Sequence, residues 1–251
     1  LTRRRTAACC IALSLLAGGC GDSTVDVFNP DVGVLAHWAL DEGEAGDAVV
    51  DSSGFGLDGA LSANPPVPSP DVPPVHFPDP YSLSFNGQDE YVVFGNPPIL
   101  NLGGPISIAA WVRATSTDGF QDIVAHGYTP DQVQDLALRI NSGSYEFTYF
   151  DFQAGMDHGA KVTIQPSDVG AWVHLCGVFD GNNYLVYRDG ALAATTPDTT
   201  VPPADINALW AIGGRAPDSA AATRFLAGEL DDVRIYGRAL SAAEVQALYQ
   251  R

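Results

Sequence analysis

The chain has 251 residues, 46% of them hydrophobic and 17% charged, with 30 Asp+Glu against 12 Lys+Arg and a net charge of −18. That apolar content excludes a disordered chain and suffices for one large core. The acid excess, without a basic stripe, excludes electrostatic binding of nucleic acid or of an anionic lipid surface.

Residues 1–20 read LTRRRTAACCIALSLLAGGC. Arg3, Arg4 and Arg5 precede an apolar run, Ala7 to Leu16, too short to span a membrane. With Ala17-Gly18-Gly19-Cys20 the segment resembles a bacterial lipoprotein signal, although Leu16 stands four residues before the cysteine instead of three. The resemblance implies a lipidated Cys20 and a protein held in the bacterial cell envelope outside the cytoplasm, meeting the membrane only through its lipid. The rival is an ordinary secretory signal cut nearby. Cys9 and Cys10 leave with either signal, so no disulfide framework is expected, and Cys176 in AWVHLCGVF is expected to be a buried small hydrophobe.

Residues 21–33 read as a polar tether, and 34–251 as one domain. Strand-length apolar runs then recur between turn residues, at 34–40, 82–86, 91–94, 105–113, 122–127, 134–140, 144–152, 160–164, 171–179, 183–188, 191–195, 208–213 and 225–236. Several alternate with period two, as half-buried antiparallel strands do. Asn141-Ser142-Gly143 and Asp189-Gly190 supply the positive φ angles of tight hairpins. Of the acids, 24 are Asp, a turn and cap former, so most of the charge is expected in turns. The proline-rich stretch 62–80 reads as a loop within the domain. Ser241 and Glu244 are spaced as a capping box for one short C-terminal helix. The expected fold is all-β: a two-sheet antiparallel jelly-roll sandwich ending in that helix.

Three stretches in order carry a family likeness. They are Leu35–Gly43 (LAHWALDEG) with Asp51-Ser52-Ser53-Gly54 and Asp58-Gly59; Ser82–Gly87 (SLSFNG) leading to Ile106–Val112 (ISIAAWV); and Gly228–Tyr236 (GELDDVRIY) with Arg238–Ser241. Together they resemble the LamG-like jellyroll domain of the concanavalin A-like lectin/glucanase superfamily, over roughly 34–250. The resemblance implies a module that binds glycans or cell-surface proteins, and a structural Ca²⁺ at Asp231. From the residues themselves, Asp41, Glu42, Asp51 and Asp58 are the carboxylates that terminal strands lying side by side could bring to Asp231 or Asp232, giving the oxygen donors Ca²⁺ requires. The competing expectation is that Asp231 caps a turn or pairs with Arg.

Enzymes of this superfamily resemble one another through a strand carrying Glu-x-Asp-x-Glu, whose carboxyls act as nucleophile and acid/base. None of the six Glu here begins that pattern, so no catalytic residue is assigned. The binding reading rests on Tyr145, Phe147 and Tyr149, which share one face of 144–152 and could stack on sugar rings. The expectation is a non-catalytic recognition module outside the cytoplasm. Its rivals are a carbohydrate-active enzyme with an unrecognised site and a structural or adhesion lipoprotein.

Overall fold

The computed structural model describes residues 28–43, 46, 48–127, 134–151, 154–202, 207–216 and 222–251. Cys20, the rest of 1–20 and residues 21–27 of the tether lie outside these described residues. In chain order the strands are β1 (Val34–Trp38), β2 (Ala48–Val49), β3 (Gly59–Leu61), β4 (Val67–Ser69), β5 (Ser82–Asn86), β6 (Val92–Gly95), β7 (Ile106–Ala114), β8 (Phe120–Gly127), β9 (Gln134–Asn141), β10 (Ser144–Asp151), β11 (Met156–Thr163), β12 (Val173–Phe179), β13 (Asn183–Arg188), β14 (Ala191–Pro197), β15 (Trp210–Ile212) and β16 (Ala227–Tyr236), followed by helix α1 (Ala242–Tyr249).

They form two eight-stranded antiparallel sheets. The first runs β14-β13-β12-β7-β16-β5-β4, with β1 also paired to β16; the second runs β11-β10-β9-β8-β15-β6-β3-β2. The main core lies between them. Ile106, Ile108, Ala110 and Val112 of β7 meet Leu136, Leu138, Ile140 and Phe147 of the second sheet there. The other face of the first sheet carries a smaller core, in which Ala109, Cys176 and Tyr236 pack under Val245 and Leu248 of α1. Strand β7 is therefore apolar on both faces because both are covered. Cys176 is fully buried, and burial pushes its thiol well above the usual range.

The expected local devices are present. The Ser241 hydroxyl accepts from the Glu244 amide at 3.3 Å, and the Glu244 carboxylate accepts from the Ser241 amide at 2.8 Å. Ser142 (φ 45°) and Gly143 (φ 85°) turn β9 into β10, and Asp189 (φ 50°) with Gly190 (φ 76°) turns β13 into β14. Both are two-residue turns whose twist matches the strands they join. The stretch 62–80 is not loop throughout. It contains β4, which pairs with β5 at the sheet edge, where the missing N–H of Pro68 breaks no central ladder.

The terminal strands lie side by side, with Trp38 of β1 opposite Val233 of β16. The register of β16 against β7 slips between Asp231 and Arg234, and Asp232 takes a positive φ of 43°. This bulge breaks the alternation at two consecutive carboxylates.

Candidate functional site

Strand β10 separates two environments. Tyr145, Phe147 and Tyr149 are 0%, 0% and 3% exposed and belong to the core between the sheets. The sugar-stacking role expected of them is corrected: the second sheet turns this face towards the first, where the rings meet Phe179, Tyr184 and their neighbours. The opposite side of the same strand carries Glu146 and Thr148, themselves 7% and 3% exposed, at the floor of an open cleft. Asn141, Asp157 and Lys161 line it, and Thr195 and Thr196 of β14 form a rim. A Cβ at Gly159 would come within 2.4 Å of the Phe147 carbonyl oxygen, so glycine lets β11 lie close against β10 here.

The cleft is polar and its geometry is fixed from below. Glu146 accepts from Arg139 Nε at 3.1 Å and from Asn141 Nδ2 at 3.2 and 3.1 Å. Thr148 donates to the His158 carbonyl at 3.3 Å. Asp157, with its side chain 61% exposed, lies 3.5 Å from the same Arg139 guanidinium. Further along the face, buried Arg215 donates to Asp122 at 2.6 Å and is paired with Asp135. Charges taken out of water need such partners. The Phe120 ring already carries the Arg139 and Arg224 guanidiniums, at 5.0 and 4.5 Å from its centroid.

The bulge in β16 creates a second, acidic pocket. Asp232 accepts from His37 Nε2 at 2.7 Å and from the Arg234 guanidinium at 2.9–3.2 Å, and these partners hold its carboxyl well below the usual range despite burial. Asp231 is 1% exposed and makes no ion pair among the described residues. Burial, then the nearby Asp79 and Asp232 carboxylates, push it up to about 9. Asp79 is pushed up to about 7 by burial and by Asp41, and Asp41 is raised chiefly by burial. Among the described residues, the buried Asp41 Oδ1, Asp79 Oδ2 and Asp231 Oδ2 have no amide, hydroxyl or cationic donor. Asp79 hydrogen-bonds with both Asp41 and Asp231, while the Tyr81 amide donates to Asp41 and the Asp232 amide to Asp231 Oδ1 at 2.7 Å.

Of the expected metal ligands, then, the structure brings Asp41 and Asp231 together and adds Asp79. It turns Glu42 and Asp51 to other partners. Glu42 accepts from the Val50 amide at 2.9 Å. Asp51 organises its own loop, accepting from the His37 and Leu57 amides and the Ser53 hydroxyl at 2.7–3.0 Å, and these bonds lower its carboxyl despite burial. Orphaned hard oxygen atoms suit a cation such as Ca²⁺ in chemistry. In arrangement, no group of three or more His, Cys, Asp or Glu among the described residues is placed to hold a metal ion.

The family model described as the concanavalin A-like lectin/glucanases superfamily matches residues 86–246. The chain belongs to this superfamily. No curated protein matches it. Among solved structures, it is similar to domain 4 of AbnA, an extracellular arabinanase from Geobacillus stearothermophilus, in complex with arabinotriose. The two are 18% identical with a TM-score of 0.64, covering 86% of this chain and 98% of that one. It is also similar to the binding domain of botulinum neurotoxin serotype G (15% identical, TM-score 0.65, covering 86% of this chain and 50% of that one). The binding domain of Paraclostridial Mosquitocidal Protein 1 is a third (14% identical, TM-score 0.66, covering 87% and 52%). The chain thus spans about half the length of the toxin domains it matches. At these identities the likeness shows the shared fold.

Within this superfamily member, sequence reading missed Glu146, Thr148, Asp157 and Lys161 as a set. They come from two strands that meet only through the β10–β11 register, with Glu146 opposite Lys161 and Thr148 opposite Gly159. Asp79 was missed because His76-Phe77-Pro78-Asp79-Pro80 carries no pattern that singles it out.

Proposed function

We propose that this protein is a non-catalytic recognition module outside the cytoplasm, which binds carbohydrate in the cleft on the solvent face of β10 and β11. The observation that carries this reading is the cleft itself: carboxylate, amide, hydroxyl and ammonium groups gathered on a sheet face, where Arg139 of the neighbouring β9 holds Glu146. Such a mixture of acceptors and donors matches the hydroxyl groups of a sugar. Both cleft carboxyls, Glu146 and Asp157, lie against one guanidinium, an arrangement that serves acceptance of hydroxyl hydrogens better than the paired acid and base of glycoside hydrolysis. The saccharide in the AbnA complex and the binding roles named for the toxin domains are in keeping with it.

We further propose that Ca²⁺, when bound, draws the Asp41, Asp79 and Asp231 carboxylates out of the arrangement seen here, which is not placed to hold a metal ion, and replaces the protons they share. The lipoprotein-like segment 1–20 supports attachment to the cell envelope through Cys20. Among the described residues, no helix is long and apolar enough to cross a membrane. A panel of oligosaccharides, screened for binding with and without Ca²⁺ and for released reducing sugar, tests the reading. Binding without release is expected, and sugar release would overturn the non-catalytic assignment.

A further inference from the structure

A different part of the molecule carries two aromatic rings outside both cores. Tyr91 immediately precedes β6 and Phe225 lies just before β16. Their neighbours Val92 and Leu226 are fully buried in the main core, whereas the two rings are half-buried, with centroids 6.2 Å apart and planes tilted by 32°. Gly214 lies beneath them: a Cβ there would stand 3.1 Å from the Phe225 ring and 3.3 Å from Tyr91 Cβ. Its absence lets both rings settle against the sheet.

The pair lines a shallow, solvent-open hollow. Its rim holds the exposed Asn64, Gln88 and Asp89. Asn64 and Asn86 each donate to Asp89 Oδ1, at 2.9 and 2.8 Å, while the Asn86 side chain accepts from the Gln88 and Asp89 amides at 2.7 and 3.2 Å. The turn is therefore braced, and the bonds from Asn86 and Asn64 keep the Asp89 carboxyl ionised by lowering it. Aromatic faces beside a few fixed polar groups form the pattern of a ligand pocket. Among the described residues no cation lines the hollow, and the chain carries a net charge of −18, so an anionic ligand is disfavoured.

We propose that this hollow is a second saccharide subsite, separate from the β10–β11 cleft, which takes an uncharged sugar ring against Tyr91 and Phe225 and its hydroxyls on Asn64, Gln88 and Asp89. The inference stands on its own residues, so it can fail while the cleft reading holds.

The test is titration calorimetry of the full chain with arabinotriose, cellotriose, laminaritriose and chitotriose, with trigalacturonate as the anionic control. Wild type is compared with Phe225→Ala, Phe225→Trp and the cleft variant Asp157→Ala. At least one neutral sugar is expected to occupy the hollow, and Phe225→Ala to weaken that event by about tenfold or more, as loss of an aromatic anchor does. Phe225→Trp keeps a stacking face, so it is expected to retain binding and to shift its fluorescence when sugar is added. Asp157→Ala leaves the event intact. Sugar binding that Phe225→Ala does not alter, a preference for trigalacturonate, or absence of binding by every neutral sugar would each overturn the subsite. Binding that falls with Asp157→Ala alone would overturn it while upholding the cleft.

Discussion

Asp232 sits between His37 and Arg234, whereas Asp231, one residue earlier, faces carboxyl groups and, among the described residues, no cation. A single bulge thus gives two neighbouring acids opposite electrostatics. Asp231→Asn imitates the protonated acid, so it is expected to fold without added metal and to lose any response to it. Calcium at about a hundred times its Kd stabilises a protein by about 2.7 kcal/mol. Wild type should therefore gain several degrees in Tm over the EDTA-treated protein, and the variant none; equal gains, or none in wild type, would contradict the site. Asp41 and Asp231 were legible because the terminal strands of a closed sandwich must pair, but Asp79 reaches them through a proline-rich segment whose path no periodicity records. His174 gives a separate pH signature. It meets Trp111 edge-on, with ring centroids 5.2 Å apart, and burial pushes its imidazole down from 6.5 to about 4. The unfolded chain thus takes up a proton that the folded one refuses, so this contribution is present above about pH 6.5 and lost as pH falls towards 4. His174→Phe keeps a ring in place, and the difference in Tm between wild type and variant should change across that interval in favour of wild type at higher pH. A constant difference would contradict this assignment.

Strand β10 shows what periodicity reveals and what it leaves open. Alternation separated Tyr145, Phe147 and Tyr149 from Glu146 and Thr148, but 144–152 carries aromatic residues on both faces. Which face turned inward was decided by the partner sheet: a Cβ at Gly177 of β12 would stand 2.3 Å from the Phe147 ring, so that glycine is the socket into which the ring fits. Phe147→Ala is accordingly expected to cost about 3–5 kcal/mol in a denaturant titration, as large-to-small changes in a packed core do. Asp157→Ala, at an exposed cleft position, should stay within about 0.5 kcal/mol of wild type in the same assay. The reverse order would return the aromatic face to solvent. The terminal helix and the hairpins were readable because Ser241 with Glu244, and Asp189 with Gly190, act over three residues or fewer. Strands β2, β3 and β4 are two or three residues long, too short for alternation to register.

At the scale of the whole molecule, the two sheets differ in what covers their outer faces. Helix α1 and a second core close much of the first sheet, whereas the second keeps a polar face with its charges paired among themselves. The all-β sandwich was legible from many short runs separated by turns, because layer architecture follows from pattern alone. The cleft was not, because it depends on which strands become neighbours across the β9–β10–β11 meander. The excess of acid takes on a local meaning here: Asp51, Asp180 and Asp189 anchor backbone amides of loops and strand ends, while Asp231 is stored among carboxyl groups. Recognition of saccharide by the β10–β11 cleft is the claim on which the functional reading rests. It is tested most directly by the dissociation constant of the tightest-binding neutral oligosaccharide, measured by calorimetry for wild type and for Asp157→Ala combined with Lys161→Ala. Loss of charged hydrogen-bonding groups is worth about 1.5–3 kcal/mol each, so the double variant should bind at least about tenfold more weakly while keeping the wild-type Tm. An unchanged dissociation constant, for every sugar that binds, would contradict it.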